Sequence, residues 1–183
     1  MDKIKNVKEV LQFNKEIYLQ PPIYVTCDQF WDGGIAPTAS LKEKTEFYLL
    51  ADKMAHIVQD VIAAFGKVAF IGKSLCRDEQ LYAHWSDLKE HKLFQELSEH
   101  IQPRGTYKIS LPEDDDIVDL IVESNFKYLS HIALYIPTLD LVCIPTCHTE
   151  IIIYAYQQEE VMRVLESIIA KYSDENFKIV CKQ

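Results

Sequence analysis

The chain is poor in glycine and proline, with five and seven among its 183 residues. That scarcity excludes collagen-like and low-complexity architectures, which need both in bulk. Long apolar runs are missing too. Nothing approaches the roughly 18 consecutive apolar residues that span a bilayer. The opening stretch MDKIKNVKEV carries charge where a secretory signal needs an apolar core. A cytoplasmic location is the expectation. The five cysteines, Cys27, Cys76, Cys143, Cys147 and Cys181, are odd in number and scattered. They make no disulfide framework, so reduced thiols are expected.

Positive charge is the remaining deficit. Nineteen bases stand against 28 acids, a formal net charge of −9. Residues 1–92 carry 12 bases and 13 acids, whereas residues 93–183 carry 7 and 15. The imbalance therefore belongs almost wholly to the second half. Clustered Lys and Arg are what a polyphosphate or an anionic membrane surface requires, so neither is an expected partner. A basic protein is favoured, because an acidic field speeds its arrival. Many bacterial cytosolic proteins are acidic for solubility alone, which is the plain alternative.

Enough apolar material is present for one good core. Hydrophobic residues make up 48% and aromatics 11%, which argues against disorder. The length suits a single globular domain over 1–183.

Periodicity supplies the elements. Residues 3–17 read as a short helix, with Ile4, Val7, Val10 and Ile17 on one side, stopped by Pro21 and Pro22. The clearest helix is 41–65. Ser40 and Glu43 match a capping box, Phe47, Leu50, Met54, Val58, Val61 and Ile62 follow three-four spacing, and Gly66 suits a left-handed cap. A strand is expected over 67–71 and helix over 78–101. A strand over 107–111 and a helix over 112–123 come next. Three strand-like runs then follow closely, over 131–136, 139–144 and 150–156. Their short connections predict an antiparallel meander across 130–156, since a parallel return needs a long crossover. A helix over 157–172 and a strand over 177–181 complete the chain. Helices early and strands late predict an α+β fold, a mostly antiparallel sheet with helix 41–65 on its apolar face.

Motifs that carry chemistry are incomplete. Gly72-Lys73-Ser74 resembles the end of a phosphate loop, but five residues rather than four separate Gly66 from Gly72, and the interval is strand-like. Cys143, Cys147 and His148 offer one loose pair of thiols where zinc wants converging pairs. Cys147 and His148 would point to opposite faces of a strand and could not share a proton. No metal and no cofactor are expected. Alternation on strands does bring His131, Tyr135, His148 and Glu150 toward one face. A carboxylate beside imidazoles can tune proton transfer near neutral pH, so a small hydrolase or transferase is one reading. The solvated side of a sheet is the bland one.

Glu113 to Asp116, with Asp119, form the densest acidic run. The first turn of a helix uses one or two such acids against its positive end. The surplus can meet a cation. Asp114, Asp115, Asp116 and Glu123, with Glu159 and Glu160 on the next helix, are therefore candidate partner contacts. Trp31 and Asp32 join them as an aromatic–acidic pair in the 28–38 loop. The favoured reading is a binding protein that masks a basic partner. Immunity proteins and antitoxins act in this way on nuclease-type toxins, and the analogy is one of charge rather than of sequence.

Overall fold

A computed structural model describes residues 1–4, 12–28, 36, 38–75, 92–102, 105–127 and 129–183. Its strands are β1 (Asp2–Lys3), β2 (Ile23–Cys27), β3 (Val68–Gly72), β4 (Thr106–Ser110), β5 (Leu134–Ile136), β6 (Leu141–Pro145), β7 (Ile151–Tyr154) and β8 (Ile179–Lys182). Its helices are α1 (Leu41–Ala64), α2 (Lys92–His100), α3 (Asp115–Phe126) and α4 (Gln158–Tyr172). The strands form one sheet in the order β1-β4-β3-β5-β6-β7-β2-β8, with every neighbouring pair antiparallel. The class is α+β, and the expected meander is present as β5, β6 and β7 side by side.

Cross-strand register divides the sheet into two faces. Ile71, Leu134, Cys143, Ile153 and Ile23 form one directly paired row, and all are fully buried. The helices cover this face. Cys181 beside Glu166 of α4 and the Tyr107 hydroxyl beside Gln102 after α2 mark the contact. The opposite row, Phe70, Tyr135, Val142 and Tyr154, is also buried. There Phe13 and Tyr18 stack edge-on against Tyr135 and Tyr154, at ring separations of 4.8 and 5.2 Å. The Tyr18 hydroxyl donates to the Leu75 carbonyl at 2.5 Å. Aromatic edges thus close this face, Tyr18 coming from the short 3-10 helix Lys15–Leu19.

Helix α1 forms as its local signals dictate. The Ser40 hydroxyl accepts the Glu43 amide at 3.2 Å, and the Glu43 carboxylate accepts the Ser40 amide at 2.7 Å. Phe47, Leu50, Met54, Val58, Val61 and Ile62 are all fully buried. Gly66 follows with φ +111, and a Cβ there would sit 2.8 Å from the Thr138 hydroxyl. Helix α1 lies between α3 and α4, packing on both. Two ties fix α4: Lys53 to Asp174 at 2.8 Å, and Asp60 to both Lys171 and Tyr172 at 3.0 Å.

Some expectations need correction. The helix anticipated over 3–17 is not what the described residues form. Asp2 and Lys3 pair with Lys108 and Tyr107 as β1, and Lys15–Leu19 is a 3-10 turn whose start Asn14 caps through its side chain. Long-range strand pairing overrides the local period at one end, and a local cap does so at the other. Helix α3 starts at Asp115, not at Pro112, because residues 111–114 form the turn that reverses the chain after β4. Of the helix expected over 78–101, residues 78–91 lie outside the described residues. Across the described residues, no helix is long and apolar enough to cross a membrane.

Candidate functional site

Helix α3 owes its orientation to both of its faces. Ile117, Val118, Ile121 and Val122 are buried beneath it. At its C-terminal end Asn125 is fully buried and uses its entire hydrogen-bonding capacity. Its amide nitrogen donates to the carbonyls of Ile132 at 3.0 Å and Pro145 at 2.9 Å. Its oxygen accepts from the Ser130 hydroxyl at 2.5 Å and the Ile132 amide at 3.0 Å. The Ser124 and Ser130 hydroxyls complete the network at 2.6 Å. This polar knot ties α3 to the ends of β5 and β6.

With that face fixed, the acids on α3 turn toward α1. The two helices run antiparallel. Gln59 of α1 donates to the Asp115 carbonyl at 3.2 Å and to the Asp119 carboxylate at 2.7 Å. Tyr48 meets Lys127 at the other end, hydroxyl to ammonium at 2.9 Å, with the ammonium 4.7 Å from the ring centroid. Between these contacts runs a groove of about 180 Å³ lined by Tyr48, Ala51, Asp52, Ala55, Asp119 and Glu123. Alanines make its floor and carboxylates its walls.

The groove is electrostatically crowded. Partial desolvation raises the Asp119 carboxyl above its ordinary range. The neighbouring Asp52, Asp115 and Asp116 push it further in the same direction, against the opposing pull of His56. Glu123 is paired with Lys127 at 2.5 Å. Burial disfavours the Lys127 charge, but Glu123 and Tyr48 more than offset this and hold the ammonium above its usual value. Like charges gathered at this density attract a cationic partner and resist closing on themselves.

The expected contact residues divide. Asp115 is half-buried, and Asp116 is exposed with its carboxylate on the Ile117 amide at 3.0 Å. Neither lines the groove, although both lie close enough to act on the Asp119 carboxyl; Glu123 does line it. Asp114 does not, and its assignment to a partner surface is corrected. It is only 6% exposed, accepts the Ser110 amide at 2.8 Å and pairs with the Met1 amino group at 2.5 Å. Those bonds outweigh desolvation and hold its carboxyl below the usual range. Glu159 and Glu160 are exposed but border a separate recess with Pro21, Tyr156 and Arg163. The opposite end of α4 is the one that reaches α1. Trp31 and Asp32 lie outside the described residues. Sequence reasoning missed Asp52 altogether and left Asp119 out of the contact set. The four-residue spacing of Asp115, Asp119 and Glu123 was a usable signal for one helical flank.

The His131, Tyr135, His148 and Glu150 set is not gathered in one place. The Tyr135 hydroxyl donates to Asp140 at the β5–β6 turn, and burial raises its pKa. His148 and Glu150 lie at the other end of β6. They share a recess of about 430 Å³ with Thr26, Cys27, Asp28, Thr149 and Lys182. Thr149 is buried there at φ 54, an uncommon conformation for a β-branched residue. His131 precedes β5 and is half-buried. Burial pushes the Cys143 thiol up to about 12, which suits packing and not nucleophilic attack. Among the described residues no group of three or more His, Cys, Asp or Glu can hold a metal ion.

Comparison with known proteins finds no matching family model, no similar curated protein and no similar solved structure.

Proposed function

We propose that the protein is a binding module that masks a basic protein through the α1–α3 groove. The convergence of Asp52, Asp119 and Glu123 from two helices, with Asp115 and Asp116 beside them, carries this reading. Lys127, the lysine that reaches this groove among the described residues, is already engaged by Glu123 and Tyr48. Tyr48, 45% exposed, supplies apolar contact next to the charge. An exposed aromatic beside charged groups is a common composition for a contact surface. The role that fits is neutralisation of a basic effector such as a nuclease-type toxin, in the manner of an immunity protein or antitoxin. An acid–base site on His131, Tyr135, His148 and Glu150 draws less support, since the Tyr135 hydroxyl turns to Asp140 at one end of β6 while His148 and Glu150 lie at the other.

The experiment uses a lysine-rich amphipathic peptide as probe, titrated at low and at near-physiological salt. Asp52→Asn, Asp119→Asn and Glu123→Gln together should weaken binding roughly tenfold, at a few tenths of a kcal/mol per screened pair, and should flatten its salt dependence. Glu159→Gln with Glu160→Gln should leave it nearly unchanged. Equal effects from both sets would mean that net charge, and not this groove, governs binding.

A further inference from the structure

At one end of the acidic groove the protein already holds a lysine. The Lys127 ammonium lies 2.5 Å from the Glu123 carboxylate and 2.9 Å from the Tyr48 hydroxyl. The centroid of the Tyr48 ring is 4.7 Å away. A carboxylate, a hydroxyl and an aromatic face together make a complete seat for a primary alkylammonium. Burial works against the charge there, yet Glu123 and Tyr48 more than offset it. Both of these residues also line the groove. Neither is closed off, since the Glu123 side chain is 31% exposed and Tyr48 is more open still. A side chain arriving from solvent can reach them.

We infer that Lys127 is a built-in competitor: it fills the ammonium seat that a lysine of the basic partner takes when the complex forms. This rests on the masking reading and adds how one of the partner's cations is received. The exchange replaces one ammonium by another, so Glu123 is not left half-buried without a partner. Lys127 also has somewhere to go. It is the C-cap residue of α3, so its side chain can enter water while its charge stays near the negative end of the helix. A partner binds only the fraction of molecules whose seat is open, and its apparent affinity is lowered by that fraction. Lys127 thereby keeps the masking complex reversible. The same contacts could serve merely to tie α3 to α1, and the two roles differ in sign. Removing a tie loosens the groove and weakens binding, whereas removing a competitor strengthens it.

The lysine-rich amphipathic peptide is the probe, titrated by calorimetry into the full chain at low salt. Lys127→Met should bind it roughly tenfold more tightly than wild type, because the seat then stands open. Lys92→Met removes the same charge from α2, on a side chain 89% exposed and bridged to Glu96 of its own helix. It should change the affinity by less than about twofold, as an exposed pair does. Glu123→Gln added to Lys127→Met should cancel the gain. In the wild type, the nitrogen resonance of the Lys127 ammonium should move to the position of a free lysine as peptide is added. That measurement needs no variant, so it decides alone if Lys127→Met disturbs the circular dichroism. A gain no larger than that of Lys92→Met overturns the inference. So does a Lys127 resonance that stays in place at saturation, and in both cases the masking reading survives if the wild type binds the peptide. Failure of the wild type and of Lys127→Met alike to bind removes both.

Discussion

Replacing Asn125 tests the account of how α3 is held. Asn125→Leu keeps the branching of the side chain, takes somewhat more room, and deletes all four hydrogen bonds. Ser130 can turn to Ser124, which already lies 2.6 Å away. The Ile132 amide, the Ile132 carbonyl and the Pro145 carbonyl have no such recourse at a site with no solvent exposure. Leaving a buried backbone group unsatisfied costs about 1–3 kcal/mol, so three cost roughly 6 kcal/mol at the middle of that range. A domain is commonly stable by only about 5–15 kcal/mol. With an m-value of about 2 kcal/mol/M, the urea midpoint should fall by about 3 M, read by circular dichroism. Asn125→Asp adds a sign. A carboxylate keeps both acceptor roles but turns an oxygen toward two carbonyls. Its folded pKa is then raised above the unfolded value of about 3.9. The stability of that variant should be best at low pH and fall as pH rises through the raised value. A loss below about 1 kcal/mol for Asn125→Leu would refute the reasoning, since it would mean that water or relaxation satisfies the strand ends.

Two further outcomes follow from the same structure. Gly66→Ala should destabilise by about 1–3 kcal/mol in thermal melts, because its φ of +111 disfavours any side chain and the new Cβ meets Thr138. Asp174 is held down to about 2, first by its bond to Lys53 and then by the Phe177 and Asn176 amides. A depressed carboxyl contributes stability above its unfolded pKa and loses it as pH falls toward the folded value. Asp174→Asn should therefore narrow the stability difference between pH 5 and pH ~2 relative to wild type, measured by urea titration at each pH.

Helix α1 was legible because every signal for it is local: its cap, its period and its terminal glycine lie within one stretch. The meander was legible because short connections leave few topologies. The polar knot was not, because the partners of Asn125 lie on strands that follow the helix, and a lone Asn after an apolar run looks like a surface residue. Asp114 was indistinguishable from its neighbours in a run of four acids, although a single helical turn separates buried from exposed positions. Asp52 and Asp119 join only through the antiparallel packing of α1 on α3, which no local pattern encodes.

The strand order has a consequence for how the chain reaches its folded state. Strand β2 lies between β7 and β8, with Ile23 opposite Ile153 and Tyr24 opposite Lys182. This strand thus waits for two partners that lie more than about a hundred residues downstream. Until residues 151–182 have left the ribosome, β2 has neither neighbour, and its apolar residues Ile23, Val25 and Cys27 have no sheet to enter. Contacts this distant in sequence are the slow ones to form. The nascent chain must carry β2 as an unpaired hydrophobic strand until its distant partners have been made, which makes the Ile23–Cys27 segment a natural point of engagement for a chaperone.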